Sequence, residues 1–319
     1  MPTAARPRTL VLSPDDPVGV AVRAVVKFHT AAFAREEPKA RAGDAEGVHQ
    51  LRVATRRLRA ALRFFGPTLP PAAVAQAESE LSAMADVIGA VRDLDVLGAT
   101  VARRARRVEP ELRDGIRGLE ETIRQQREPA QQALTAALDS PRRRTLLARL
   151  DSITGPPGRP GRTTPLIAVA PTLLAPLLRA VRDAGRRVDA KASPARLHRL
   201  RVRAKRLRYA LETLRGLGGK RLAAAVAELT RLQELLGEHQ DMVIAIAWLQ
   251  THVPDEASRA TLLATGALVQ VLGRRARRLR RRAPAAWNDV QRRVLRHDLL
   301  GAHAALPRPT TRHLHVARG

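Results

Sequence analysis

One fourteen-residue pattern occurs twice in this chain, and any fold for it has to accommodate both copies. "HQLRVATRRLRAAL" at 49–62 and "HRLRVRAKRLRYAL" at 198–211 are identical at nine of fourteen positions, with a constant offset of 149. Both read H-x-L-R-V-x-x-[RK]-R-L-R-x-A-L, a match too long to come from arginine-rich composition, so duplication is the reading. The same offset pairs Asp44 with Ser193, two good N-cap residues, and Pro194 suits the first position of a helix. A helix therefore starts at the same place in each copy. A fainter echo follows, "GAVRDLDV" at 89–96 against "GEHQDMVI" at 237–244, which aligns Gly89 with Gly237 and Asp93 with Asp241.

Between the copies lies "TGPPGRPGRTTP" at 154–165, whose prolines and glycines read as a linker. Residues 154–162 are assigned to it, leaving halves of 14–153 and 163–300, with loose ends expected at 1–13 and 301–319. Each half offers a helix before the motif (16–36; 165–188) and the motif helix itself (45–65; 194–216). Long helical stretches follow (72–107 and 112–138; 219–251 and 255–282). Ala, Leu, Val and Arg dominate and aromatic residues are only 2%, which favours helix over sheet. The expectation is an all-α, duplicated helical domain of two four-helix bundles.

Seen along the helix axis, His49, Arg52, Arg56, Arg59 and Arg63 fall within an arc of about 80 degrees and run about 21 Å along it. Leu51, Leu58, Leu62 and Phe65 form the opposite, core-facing side. In the second copy His198, Arg201, Lys205 and Arg208 take the same angular positions, and Glu212 ends the stripe where the first copy has Arg63. Arg57 and Arg206 flank the two lines at matching angles. A solvated basic face normally interleaves acids, yet residues 47–77 contain no Asp or Glu. Like charges so arranged repel one another and call for a polyanion to neutralise them. His49 and His198, near the positive pole of each helix, can donate to phosphate, and protonation would make affinity rise as pH falls from about 8 to 6. The alternative is that they cap neighbouring helices. Asp93 and Asp241 read as supporting partners that orient the arginines. "RRARRLRRR" at 274–282 and "RRR" at 142–144 either extend the site or are solvated.

The whole chain agrees with an anionic partner. It carries 57 basic against 30 acidic residues, a net charge of +27, and 52 of the basic residues are arginine, whose planar fork grips phosphate oxygens in pairs. A GC-rich coding sequence would give the same arginine bias, so composition alone does not name the partner. The absence of cysteine excludes disulfides, thiolate catalysis and Cys-ligated metals. "PLIAVAPTLLAPLL" at 165–178 is too short to span a bilayer, and no signal peptide is recognisable. No His/Asp spacing resembles a metal ligand set, and no P-loop, clustered acids for Mg²⁺ or activated nucleophile is visible. The chain is expected to be cytoplasmic, without membrane association, and to have no catalytic residues, metal or cofactor.

The two H-x-L-R-V-x-x-[RK]-R-L-R motifs, with "RDLDV" and "LGEHQD" after them, resemble the conserved histidine α-helical domain, the CHAD family, over about residues 14–300. The resemblance implies two four-helix bundles related by pseudo-twofold symmetry around a basic channel. It also implies binding of inorganic polyphosphate and association with polyphosphate granules. Carried over by motif, the binding residues are His49, Arg52, Arg56, Arg57, Arg59 and Arg63, then His198, Arg201, Lys205, Arg206 and Arg208. Many relatives carry a CYTH triphosphatase signature, E-x-E-x-K; the nearest string here, "ESELS" at 78–82, departs from it. A nucleic-acid or nucleoid-associated protein is the alternative, disfavoured by only seven aromatic residues for base stacking.

Overall fold

A computed structural model describes residues 10–155, 163–253, 256–296 and 299–300. These form α1 (Val18–Arg41), α2 (Ala45–Phe65), α3 (Pro71–Ala105), α4 (Arg113–Asp139) and α5 (Pro141–Thr154). After the linker come α6 (Leu166–Gly185), α7 (Pro194–Thr213), α8 (Arg215–His252) and α9 (Arg259–Val290), the last continued by a π-helical turn at Gln291–Leu295. The chain is all-helical: among the described residues there is no strand, only one isolated bridge between Pro17 and Pro165. Most of the linker, residues 156–162, and the terminal segments 1–9 and 301–319 lie outside the described residues. Leu12, in the segment expected to be loose, is buried in the main core.

The caps sit where the sequence puts them. Asp44 accepts a hydrogen bond from the Gly47 amide (2.6 Å) and starts α2; Ser193 accepts from the Arg196 amide (3.4 Å) and starts α7, with Pro194 at its first position. Long α8 is broken near its start at Gly219, where φ of 52° lies in the left-handed region that only glycine enters cheaply. Helix α5 lies where the sequence reading placed none. It buries Leu146, Leu150 and Ile153, spaced four and three residues apart, against the first half.

The core does not divide by halves. Two of the three apolar clusters draw on both: one gathers Leu58, Leu62 and Phe65 with Leu200, Leu207 and Leu211, another sets Leu97, Leu119 and Ile123 against Trp248, Leu268 and Leu272. The third belongs to the first half alone and includes Phe33, Leu51, Ile88 and Leu134. Among the described residues five α-helices stand on one side of the linker and four on the other, and the two sets share their core. The physical reason is length. Helix α3 and the part of α8 after Gly219 each extend about 50 Å, farther than a compact bundle can cover, and their distal apolar faces are buried across the boundary with α4 and α9. The starts of the halves pair reciprocally, Val18 N–H to Thr164 O (2.9 Å) and Leu166 N–H to Asp16 O (2.8 Å).

The α4–α9 contact is close enough to test. A Cβ added at Gly115 would lie 2.1 Å from the carbonyl oxygen of Ala260, a backbone atom that cannot turn aside. Gly115→Ala is expected to lower stability by about 1–3 kcal/mol. Urea unfolding would register it as a lower midpoint at unchanged slope; an unmoved midpoint would contradict the packing of the halves.

Candidate functional site

Four helices build one cavity of about 400 Å³, and they come from both halves. The buried leucines of α2 and α7 turn those helices so that His49, Arg52 and Arg56 face His198, Arg201 and Lys205 across it. The two weaker sequence echoes supply the rest of the wall. Helix α3 brings Arg92 and Asp93, and α8 brings Gln240 and Asp241. Helix α8 runs close to Arg201 at Gly237, where an added Cβ would lie 3.7 Å from Nε of Arg201, an ordinary contact.

The acids orient part of the positive charge without cancelling it. Arg52 donates to Asp93 at 2.6 Å, and Nδ1 of His198 lies 3.0 Å from Oε1 of Gln240. The side chains of Arg201 and Lys205 make no hydrogen bond or ion pair with any described residue, and the buried Nε of Arg56 has no partner. Arg56 lies over the ring of Tyr209, 5.4 Å from its centroid, a cation–π contact. Five Arg and Lys side chains thus line the cavity against two carboxylates, Asp93 and Asp241.

Burial makes this charge costly. The Lys205 ammonium is pushed down to about 6 by desolvation and by Arg56, Arg201, Arg52 and Arg208 around it. His49 is held below its ordinary value by burial, then by Arg92, with Glu46 opposing. Asp241 is raised by burial and by Asp93 and Glu238, although Arg201 pulls the other way. The lowered values of Lys205 and His49 record positive charge short of favourable partners, which is the state an incoming anion relieves, whereas the raised Asp241 lets that carboxyl give up its competing negative charge more readily.

Not every motif residue reaches the cavity. Arg57 pairs with Glu212 at 3.1 Å, and both line a different cavity of about 300 Å³ with Tyr209 and His29. Arg208 is shared between Glu212 (3.5 Å) and Thr230 (3.3 Å). Glu212, the departure from the first copy, therefore neutralises the far end of the second stripe. Arg59 donates to Ser82 (3.1 Å) and Arg63 to Glu78 (2.8 Å), while Arg206 sits among Arg63, Arg203 and Arg59 and is lowered chiefly by burial. These form a basic track beyond the cavity, because Arg63 is about 10 Å farther along α2 than Arg56. Arg92 and Tyr209 were given no role by the sequence. The signal for Arg92 was its place beside Asp93; Tyr209, where the first copy has Ala60, gave none. The cluster at 274–282 shares no lining residue with the cavity: Arg274, Arg277, Arg278, Arg281 and Arg282 form an exposed stripe on the outer face of α9. Among the described residues no group of acids and histidines is placed to hold a metal, and no helix is long and apolar enough to cross a membrane.

Fold and site together define an all-helical protein in which two repeated cationic helices share one arginine-rich cavity. The CHAD domain model matches residues 24–250, and the chain belongs to that family. The crystal structure of the CHAD domain from the plant Ricinus communis is similar at a TM-score of 0.74 and 27% identity, covering 90% of this chain and 97% of that one. PptA from Streptomyces chartreusis shares the fold at a TM-score of 0.68 and 19% identity, covering 86% of this chain and all of its own. The uncharacterized protein Rv2226 of Mycobacterium tuberculosis (strain ATCC 25618 / H37Rv) is 29% identical over 262 residues, 80% of this chain and 50% of the relative. Uncharacterized protein MT2285 of strain CDC 1551 / Oshkosh matches over the same length and shares. The chain thus spans about half the length of the curated relatives it matches.

Proposed function

We propose that the cavity binds inorganic polyphosphate and holds it by charge pairing, without chemistry on it. The observation that carries this is that Arg201 and Lys205, beside Arg56 in a half-buried cavity, make no hydrogen bond or ion pair with any described residue. Buried cations without partners are costly, and a chain of phosphates supplies oxygens to all of them at once. The continuation of basic residues to Arg59, Arg63 and Arg206 favours a long polymer over a single phosphate. A cavity walled by helices suits a thin chain without bases or sugars better than duplex DNA. In this reading the two stripes are a duplicated pair related by pseudo-twofold symmetry, and the protein works in the cytoplasm at polyphosphate granules.

Competition at physiological salt tests it. Long-chain polyphosphate is expected to displace bound protein at a concentration of charge about tenfold lower than duplex DNA requires, because both share the nonspecific counterion effect and only one fits the cavity. Equal displacement per unit charge would favour the nucleic-acid reading. Prolonged incubation with Mg²⁺ should leave the polymer length unchanged; released orthophosphate would overturn the binding-only role.

A further inference from the structure

Lys205 differs from the other lysines of the chain. Lys27, Lys39, Lys191 and Lys220 are exposed, whereas Lys205 is half-buried in the cavity wall and its amine has no partner among the described residues. Around it stand Arg52 and Arg56 from α2 and Arg201 and Arg208 from its own helix. The nearby carboxylates are spoken for, Asp93 by Arg52 and Asp241 by attraction to Arg201, and His49, Arg92 and His198 add no negative charge.

We propose that Lys205 is a nucleophilic site for acylation by acyl phosphates, small anions whose phosphoryl end Arg56 and Arg201 hold. The nitrogen lone pair adds to the acyl carbon and forms the new C–N bond. The bond from that carbon to the phosphoryl oxygen breaks, and orthophosphate leaves with the electron pair. The proton shed by nitrogen passes to the departing phosphate or to water, and an uncharged amide remains. In the free protein burial and the four guanidinium groups disfavour the ammonium, holding it at about 6, so the amine meets the reagent largely free near neutrality, and one small phosphoryl group returns less of its charge than a polyphosphate chain would. The same arginines draw in the anionic reagent and stabilise the leaving phosphate. Acylation deletes one cavity charge and fills part of its space, which shuts out a polyanion. That consequence rests on the polyphosphate reading; the chemical step does not.

The test is to incubate the full chain with acetyl phosphate at pH 7 and to follow each lysine by peptide mass spectrometry. Lys205 is expected to be acetylated at least about tenfold faster than any of the four exposed lysines, which accessibility alone would favour. Arg201→Gln should slow Lys205 about tenfold and leave the other four unchanged, since it removes both the phosphoryl contact and a charge that keeps the amine free. Lys205 reacting no faster than the exposed lysines overturns the inference. A parallel arm with long-chain polyphosphate separates the two readings. Protection of a fast-reacting Lys205 supports both. Fast labelling without protection keeps this inference and sinks the proposed function; tight polyphosphate binding to a chain whose Lys205 stays unreactive does the reverse.

Discussion

Replacing Arg52, Arg56, Arg201 and Lys205 together with alanine lowers affinity for long-chain polyphosphate by about a thousandfold or more, at about 1.5–3 kcal/mol for each lost charge-assisted contact after allowing for non-additivity. The melting temperature should hold or rise. Arg56 and Lys205 have no carboxylate partner, Arg201 has only the attraction of Asp241 without a hydrogen bond, Arg52 is held by exposed Asp93, and the four repel one another. The core-facing side of both helices is untouched by these changes. The matched comparison is alanine at Arg274, Arg277, Arg278 and Arg281, the same loss of formal charge on the outer stripe of α9. That variant should lose about tenfold or less and mainly flatten the salt dependence. Equal losses from both, measured by titration at one salt concentration, would reduce the cavity to one part of a diffuse cationic coat.

The second large effect is on pH. In the free protein the Lys205 ammonium is pushed down to about 6; phosphate bound beside it restores the charge and raises that value. A proton is then taken up on binding at any pH between the two values. Affinity therefore falls as pH rises above about 6, by up to about tenfold per pH unit, and levels off below it. The sequence assigned such a slope to His49 and His198 between pH 8 and 6. His49 is held below its ordinary value, chiefly by burial, so its own contribution moves towards lower pH. Lys205→Arg should flatten the profile from pH 7 to 9, and His49→Gln with His198→Gln should leave it in place; the opposite pattern would return the role to the histidines. Stability carries the complementary sign. The unfolded chain keeps Lys205 protonated up to about 10.4, so over the interval down to about 6 it binds more protons than the fold, and stability rises with pH. The penalty is complete below about 6. Lys205→Met should thus stabilise the free protein by about 1–3 kcal/mol at pH 6, with the gain shrinking towards pH 10, as thermal unfolding would show.

What could be read without coordinates was local. The caps Asp44 and Ser193, the course of α2 and α7 and their division into leucine and arginine faces follow from a period of 3.6 residues, and the fold agrees on each. Helix α5 was equally local, with Pro141 at its first turn and Leu146, Leu150 and Ile153 at helical spacing, but the basic run within its first turn and the proline-rich linker after it obscured it. The family and the all-helical class were legible for the same reason, since a repeated amphipathic motif survives in one dimension.

Contact between distant segments was not legible. Arg56 and Arg57 are neighbours in the chain, yet Arg56 lines the shared cavity and Arg57 is captured by Glu212 in another. Period fixes the angle of a side chain about its own helix; it does not say which helix stands opposite. The tertiary packing brought α2 against α7, set Arg92 and Asp241 in the same wall, and turned the arginines at 274–282 away from it. It also decided the chemistry of Lys205. In the sequence that residue is one more cation of a stripe, and only the approach of Arg52 and Arg56 from the other half, with burial, makes its charge conditional.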